Sequence, residues 1–515
     1  MTALLYKLGR AGALSLHAGF ATARWQPWTL TALVLAGLSA CADMSGISPK
    51  AQALDAGALG LNADVSQADT PTIDPQWWRA FGDDQLNQLV DKAMSNSPSL
   101  RAVQARLTRI RAGSDAIRGA ELPQLNSSTD LTRQRFSANS IYPPPLGGAI
   151  LNTGDLRATA SWELDFFGKN RAALEASLGQ ARAAQADADA ARMLLASAVT
   201  RSYFGLVRIQ AQIAVAERTL AQRTQSKSLV QDRVTAGLDT QLELQQSDSA
   251  LPDARLQIEI LQEQRALALN ALAALTGQPN MPLALVPPAL SAIKSIAITP
   301  SIPMDLLGRR ADIAAARWRV EAATHDVDNA KAMFYPNINL VAFAGYSSIG
   351  FDKLLRSGSD QWGVGPAIRL PVFEGGRLRA NLRGKTADLD SAVESYNTLV
   401  IDSVHDVADQ LTSASAIVRQ QSEQTAAQTS AESAYAIANQ RYKAGLGNYL
   451  NVLNAETAVL NQRRLAVDLA ARALDTQVQL IRALGGGFNA NATNSTDNSV
   501  ASTVTPSSPI FTAKP

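Results

Sequence analysis

Residues 441–456 read RYKAGLGNYLNVLNAE, with two glycines and three asparagines set between long apolar-periodic segments. A glycine at such a break supplies the left-handed backbone that ends a helix, and the asparagines suit caps and turns. Residues 232–246, DRVTAGLDTQLELQQ, carry nearly the same turn. Gly237 lies over Gly445 and Leu242 over Leu450. A turn written twice raises the question of whether the whole chain is written twice.

Working outward, the duplication holds in the same order along both halves. SPSLRAVQARL (97–107) lies over RADIAAARWRV (310–320), and ELPQL (121–125) lies over FYPNI (334–338), with Pro123 on Pro336. WELDFFGKNR (162–171) then lies over IRLPVFEGGR (368–377), pairing Phe167 with Phe373 and Arg171 with Arg377. Between these markers the first copy is longer, and the excess falls near the Pro/Gly-rich loop SANSIYPPPLGGAI. The organisation is a spacer over 41–70, a first repeat over 71–300, a second over 301–487 and a polar tail over 488–515.

Each copy predicts helix, β-hairpin, long helix, turn and helix. From about 172 to 236 and from about 376 to 444 there is no proline, and Ala, Gln, Arg, Glu and Leu dominate. A helix of about 65 to 70 residues spans roughly 100 Å at 1.5 Å per residue. The flanking helices, about 90–120 with 240–276 and about 305–333 with 448–484, are each near half that length, so two stacked end to end match one long one. Val400, Val404, Val407, Leu411, Ala414 and Val418, and Leu453, Leu460, Val467, Leu474 and Ile481, predict coiled-coil seams. Pro252 predicts a kink.

At the other end of the helices the period changes. Residues 124–136, 154–166, 337–348 and 361–373 have strand character at the length a tilted strand needs to cross a bilayer. The two β-hairpins fall within 124–166 and 337–373. Two hairpins cannot close a barrel, and an open edge in lipid leaves backbone groups unsatisfied, so several chains must share one barrel. Trp162, Trp362, Phe166, Phe167 and Phe373, near strand ends, fit either an interfacial aromatic girdle or ordinary core packing.

Composition excludes more than it suggests. With 47 basic and 45 acidic side chains and a net charge of +2, the chain has no basic stripe, and nucleic acid is not an expected partner. One cysteine and three scattered histidines exclude a Cys/His metal site, and no catalytic or phosphate-loop constellation appears, so neither enzyme nor cofactor is expected. Residues 1–40 read as a signal peptide, with Lys7, Arg10 and Arg24 ahead of the short apolar run WTLTALVLAGLSA. The sole cysteine, Cys41, follows Leu38-Ser39-Ala40 as in a bacterial lipobox, where it would be acylated; a chance cysteine at a cleavage site is the alternative.

With these motifs in hand, the chain resembles the TolC-type outer-membrane efflux factors, in particular their lipid-anchored subfamily. PQWWRAFGDDQLNQLV (75–90), LLGRRADIAAARWRVEAA (306–323), AMFYPNINL (332–340), LPVFEGGRLRANL (370–382) and the stretch at 441–456 carry the resemblance, which covers about residues 75–487. Ala311 departs from the subfamily's usual proline. The resemblance implies a mixed α+β fold, mostly α. Long antiparallel helical hairpins would form a periplasmic α-barrel, and four transmembrane strands per chain would enter a trimeric twelve-stranded β-barrel. It implies a homotrimer, a periplasmic adaptor, an inner-membrane transporter and outer-membrane lipid as partners, with Ala42 after the acylated cysteine favouring the outer membrane. The expected function is a passive export duct for small toxic compounds, gated at its periplasmic end. A structural lipoprotein whose coiled coils tether the outer membrane is the alternative, and a periplasmic adaptor is disfavoured by the duplication.

Gly237, Gly445 and Gly447 are then expected at the periplasmic tip turns. By resemblance, the helix after the second turn supplies the constriction, with Asn451 and Asn454 standing where the family often places aspartates. Their three-residue spacing shares a helix face, predicting an uncharged polar ring in place of a charged one; solvated turn residues are the alternative. Tyr442 aligns with a tyrosine the family uses in gate-holding contacts, but the family's basic partner is here Gly447. That gap predicts a gate that is weaker or differently held.

Overall fold

A computed structural model describes residues 44–54, 73–139, 141–278, 285–296 and 306–488. The signal peptide, Cys41, most of the spacer and nearly all of the polar tail lie outside the described residues. Seven helices of more than one turn and four strands follow in the order α1 (Asp84–Asn96), α2 (Pro98–Gly119), β1 (Gln124–Arg135), β2 (Ile150–Leu164), α3 (Lys169–Thr235), α4 (Gln241–Leu275), α5 (Ala311–Ala332), β3 (Asn337–Ile349), β4 (Asp360–Arg369), α6 (Arg377–Lys443) and α7 (Tyr449–Ala483).

The long helices α3 and α6 have 67 residues each, and α4 and α7 have 35 each. The bounds of α3 and α6, and those of α4 and α7, all differ by 208 positions, so the two helical hairpins repeat residue for residue. The helix expected over 90–120 is instead part of two helices. Pro98 has no N–H to continue α1 and is suited to a first helical position, while Ser97 caps α2 by accepting from the Leu100 N–H. Leu306–Arg309 forms a single separate turn before α5. Helix α4 runs on through Pro252 without interruption.

The seam read in α6 also needs adjustment. Val400 and Val407 are fully buried, but Val418 is 68% exposed and Ile417 is buried in its place. The upper part of α6 packs on α5 and the rest on α7, so the buried stripe follows the neighbour and not one continuous heptad. Close helix approach also depends on small side chains: a Cβ at Gly179 of α3 would stand 2.9 Å from the Ala322 Cβ of α5.

Where the helix ends meet, Trp77, Trp78, Phe81, Leu86, Leu89 and Val90 bury against Tyr203, Phe204 and Leu206 of α3. Asp83 holds this core twice, capping α1 through the Gln85 and Leu86 N–H groups and accepting the Tyr203 hydroxyl at 2.6 Å. Residues 44–54 lie along α6. The Lys50 and Ala51 N–H groups donate to Asp390 Oδ1 at 2.8 and 3.0 Å, and the Asn397 side-chain amide accepts from Leu54 N–H and donates to Gln52 C=O.

The four strands form one antiparallel sheet in the order β1-β2-β3-β4, so the two copies join between β2 and β3. Directly paired residues share a face. Leu125, Ala160, Ala342 and Val364 form one rung across all four strands. On that face also stand Leu156, Trp162, Leu164, Ile338, Leu340, Trp362 and Ile368. The opposite face carries the rungs Asn126-Thr159-Phe343-Gly363 and Ser128-Arg157-Gly345-Gln361, together with Asp130, Asp155 and Glu163. Trp362 is 76% exposed and Phe373 90%, and Trp162, Phe166 and Phe167 are exposed too, so core packing is not their role within the chain. Among the described residues, edges β1 and β4 have no outer neighbour in the sheet.

Candidate gate at the helical tip

The tip is made where α3 turns into α4 and α6 into α7. Both turns close in the same way. The Gly237 N–H donates to Val234 C=O and the Leu238 N–H to Arg233 C=O, while Gly445 and Leu446 repeat the pattern on Tyr442 and Arg441. This winding requires φ of +72° at Gly237 and +75° at Gly445, a region that side chains with a Cβ rarely adopt. Gly447 is different: its φ is not positive, and a Cβ there meets nothing nearer than 3.7 Å, so the turn geometry does not demand glycine. The next helices begin on side-chain caps. Thr240 forms a capping box with Glu243, and Asn448 accepts from the Asn451 N–H at 3.1 Å.

Tyr442 does not wait for a base from its own turn. It is buried, and its hydroxyl donates to Asp239 Oδ2 on the first-copy turn. Asp239 is held by Arg233 through Nε at 2.8 Å and Nη2 at 3.3 Å, and the Arg233 guanidinium lies 4.6 Å from the centre of the Tyr442 ring. The Arg233 guanidinium, with help from the Tyr442 hydroxyl, keeps the Asp239 carboxyl below the usual carboxylate range. Burial and the neighbouring Asp239 carboxylate raise the Tyr442 phenol, so it stays a donor at neutral pH. Within the chain its hydroxyl is thus held by the other repeat. Around it, Val230, Leu244, Tyr449 and Val452 complete an apolar cluster, with the Tyr442 and Tyr449 rings 5.7 Å apart.

Asn451 and Asn454 lie on the first two turns of α7 and are both exposed, with no side-chain hydrogen bond among the described residues. Behind them stands Glu456, only 4% exposed. Gln222 Nε2 of α3 donates to Glu456 Oε1 at 3.1 Å, and Arg223 Nε lies 3.6 Å from Oε2. Arg223 directs its Nη1 to the Ala250 carbonyl of α4 at 2.8 Å. Burial raises the Glu456 carboxyl above its ordinary value, opposed only in part by Arg223 and Gln222. Burial also pushes the Tyr449 phenol up to about 12.

The structure therefore brings Tyr442 together with Arg233 and Asp239, and α7 together with α3 through Glu456; it leaves Asn451 and Asn454 facing outward from the single chain. Sequence reading missed Arg233, Asp239, Arg223 and Glu456. Arg233 and Asp239 were visible as a charge pair flanking Gly237, a place where the second copy has Arg441 and Gly447.

Among the described residues no group of His, Cys, Asp and Glu is arranged to hold a metal ion. The sequence model of a family described as outer membrane efflux protein matches residues 89–278 and 302–486. The fusaric acid resistance protein FusA of Burkholderia cepacia is 38% identical over 364 residues, which cover 69% of this chain and 68% of that protein. The multidrug resistance outer membrane protein MdtQ of Escherichia coli O157:H7 is 31% identical over 456 residues, covering 84% and 93% of the two. The crystal structure of the outer membrane protein VceC from Vibrio cholerae matches with a TM-score of 0.77 at 35% identity, covering 81% of this chain and 100% of that one.

Proposed function

The chain belongs to the outer membrane efflux protein family, and from that premise we propose that it is a passive export duct for small toxic compounds, closed at its periplasmic end until a partner engages it. Its role is transport and not catalysis. Like its family, it would assemble as a trimer working with a periplasmic adaptor and an inner-membrane transporter. Acylation of Cys41 would add an outer-membrane lipid anchor, at about 0.8 kcal/mol per buried CH₂.

The observation that carries this reading is the sheet. It has four strands of membrane-crossing length, one face that is mostly apolar across β2, β3 and β4, a more polar face opposite, and, among the described residues, no outer neighbour for β1 or β4. A single sheet of this kind satisfies its edges in lipid only by joining copies of itself into a closed barrel with the polar face inward. A coiled-coil tether has no use for such a surface. At the far end of the helices, Leu238, Leu242, Leu446 and Leu450 are exposed, two on each turn, and offer an apolar docking point for the adaptor.

On this reading Asn451 and Asn454 form an uncharged polar ring at the constriction, and the Tyr442–Asp239–Arg233 contact holds the two repeats closed. Gly237 and Gly445 fix the tip turns; Gly447 leaves room where the family has a base. The test is single-channel recording of the purified protein in planar bilayers. Discrete conductance steps are expected, and a protein that inserts without conducting would overturn the duct reading.

A further inference from the structure

Glu456 is set apart from the other charged groups of the tip. The Arg233–Asp239 pair is bidentate, whereas Glu456 is buried two positions beyond Asn454 on the same helix as Tyr449, without such a pairing. Among the described residues its carboxylate receives one hydrogen bond, from the neutral Gln222 amide. The nearest cation, Arg223, stands at 3.6 Å without a hydrogen bond to it, and Arg223 Nε is itself buried with no hydrogen-bond partner. A buried ion pair repays its desolvation only when geometry is good and the remaining lone pairs are satisfied. Neither condition is met here.

We infer that Glu456 is the pH-responsive element of the constriction: its ionised, poorly compensated carboxylate loads the closed packing of α7 on α3, so that ionisation favours opening and protonation favours closure. This rests on the reading of the tip as the gate. The sign follows from linkage. A carboxyl whose affinity for protons is higher in the closed, buried state than in an open, hydrated one is protonated preferentially in the closed state. Closure is therefore favoured below the ordinary carboxylate value and progressively lost as pH rises through the raised one. Across that range the closed-to-open ratio falls by the factor by which the closed state's proton affinity exceeds that of the open state.

The other titratable groups around Glu456 within the chain do not give this response. On α3 the facing group is the Arg223 guanidinium. On α6 Tyr435, and on α7 Tyr449, are phenols raised by burial, and both stay neutral over the range. One turn or more away, Glu432 of α6 is held below its usual range, chiefly by hydrogen bonds from Gln428 and Arg463. On α4, Asp248 is paired with Lys227 of α3 at the surface.

The experiment is open probability of the intact, reconstituted channel between pH 5 and pH 8. Wild type is expected to open more at pH 8 than at pH 5. Glu456→Gln keeps the acceptor for Gln222 and removes the charge, so it should be flat with pH and as closed at pH 8 as wild type is at pH 5. Arg223→Met, which leaves the carboxylate without its cation, should open further at pH 8. If Glu456→Gln opens the channel instead, the carboxylate is a lock and the inference falls; it also falls if the pH slope survives that substitution. Should the variant fail to assemble, amide exchange in the wild type over 449–459, corrected for intrinsic rates, must quicken from pH 5 to pH 8. A wild type that conducts without pH dependence, beside a Tyr442→Phe variant that opens, refutes the Glu456 inference alone. Absence of conductance in all of them refutes the channel reading and the inference with it.

Discussion

Replacing Tyr442 with phenylalanine isolates one bond. The ring keeps its place in the cluster with Val230, Leu244, Tyr449 and Val452 and its position 4.6 Å from the Arg233 guanidinium, so no cavity opens. What disappears is the hydroxyl that donates to Asp239. A hydrogen bond to a charged group contributes about 1.5–3 kcal/mol net. Because Arg233 still satisfies the carboxylate through two bonds, the lower end applies, about 1.5 kcal/mol per chain. If three tips open together, the closed state loses roughly 4 to 5 kcal/mol, about a thousandfold in the closed-to-open ratio. In bilayers the variant should pass from rare openings to sustained conductance, with thermal stability of the assembly little changed. An open probability within about twofold of wild type would refute the argument that this bond holds the repeats together. A double-mutant cycle with Asp239→Ala should recover a coupling of about 1 to 2 kcal/mol per chain.

Three further outcomes are expected. Replacing Asn451 and Asn454 together with aspartate should raise the cation selectivity of the reconstituted pore, and unchanged reversal potentials in a salt gradient would show that they do not line it. Cys41→Ser should remove the mass of an acyl modification from the purified chain; a wild type that carries no such mass contradicts the lipobox reading. Gly445→Ala forces a Cβ into the left-handed region at φ +75°, at a cost of about 1 kcal/mol, and should quicken amide exchange at the second turn about fivefold.

The parts of this molecule that were legible in its sequence are those written locally. Proline-free, Ala- and Gln-rich runs mark α3 and α6 because helix propensity accumulates over many residues, and Gly237 and Gly445 mark the turns because one backbone conformation selects glycine. The duplication then placed Gly237 and Gly445 at one end of the helices and the strands at the other. What was illegible is written between the copies. Tyr442 and Asp239 are 203 residues apart, and Gln222 and Glu456 are 234 apart. Periodicity within a helix says which face is buried and nothing about which residue of another helix meets it. The same limit explains Val418, which the heptad placed in the seam although Ile417 is the residue buried there. Pro98 was a different case: the signal was local, and Ser97 ahead of it spelled a helix start.

The segment 44–54 has a temporal consequence. Its partners on α6, Asp390 and Asn397, lie 340 and 343 residues further along the chain from Lys50 and Leu54. In a chain made from its N-terminus, this segment exists long before the side chains that receive it, and no local contact stands in for them. Residues 44–54 can therefore dock only once α6 has been made, and their docking reports on the second repeat.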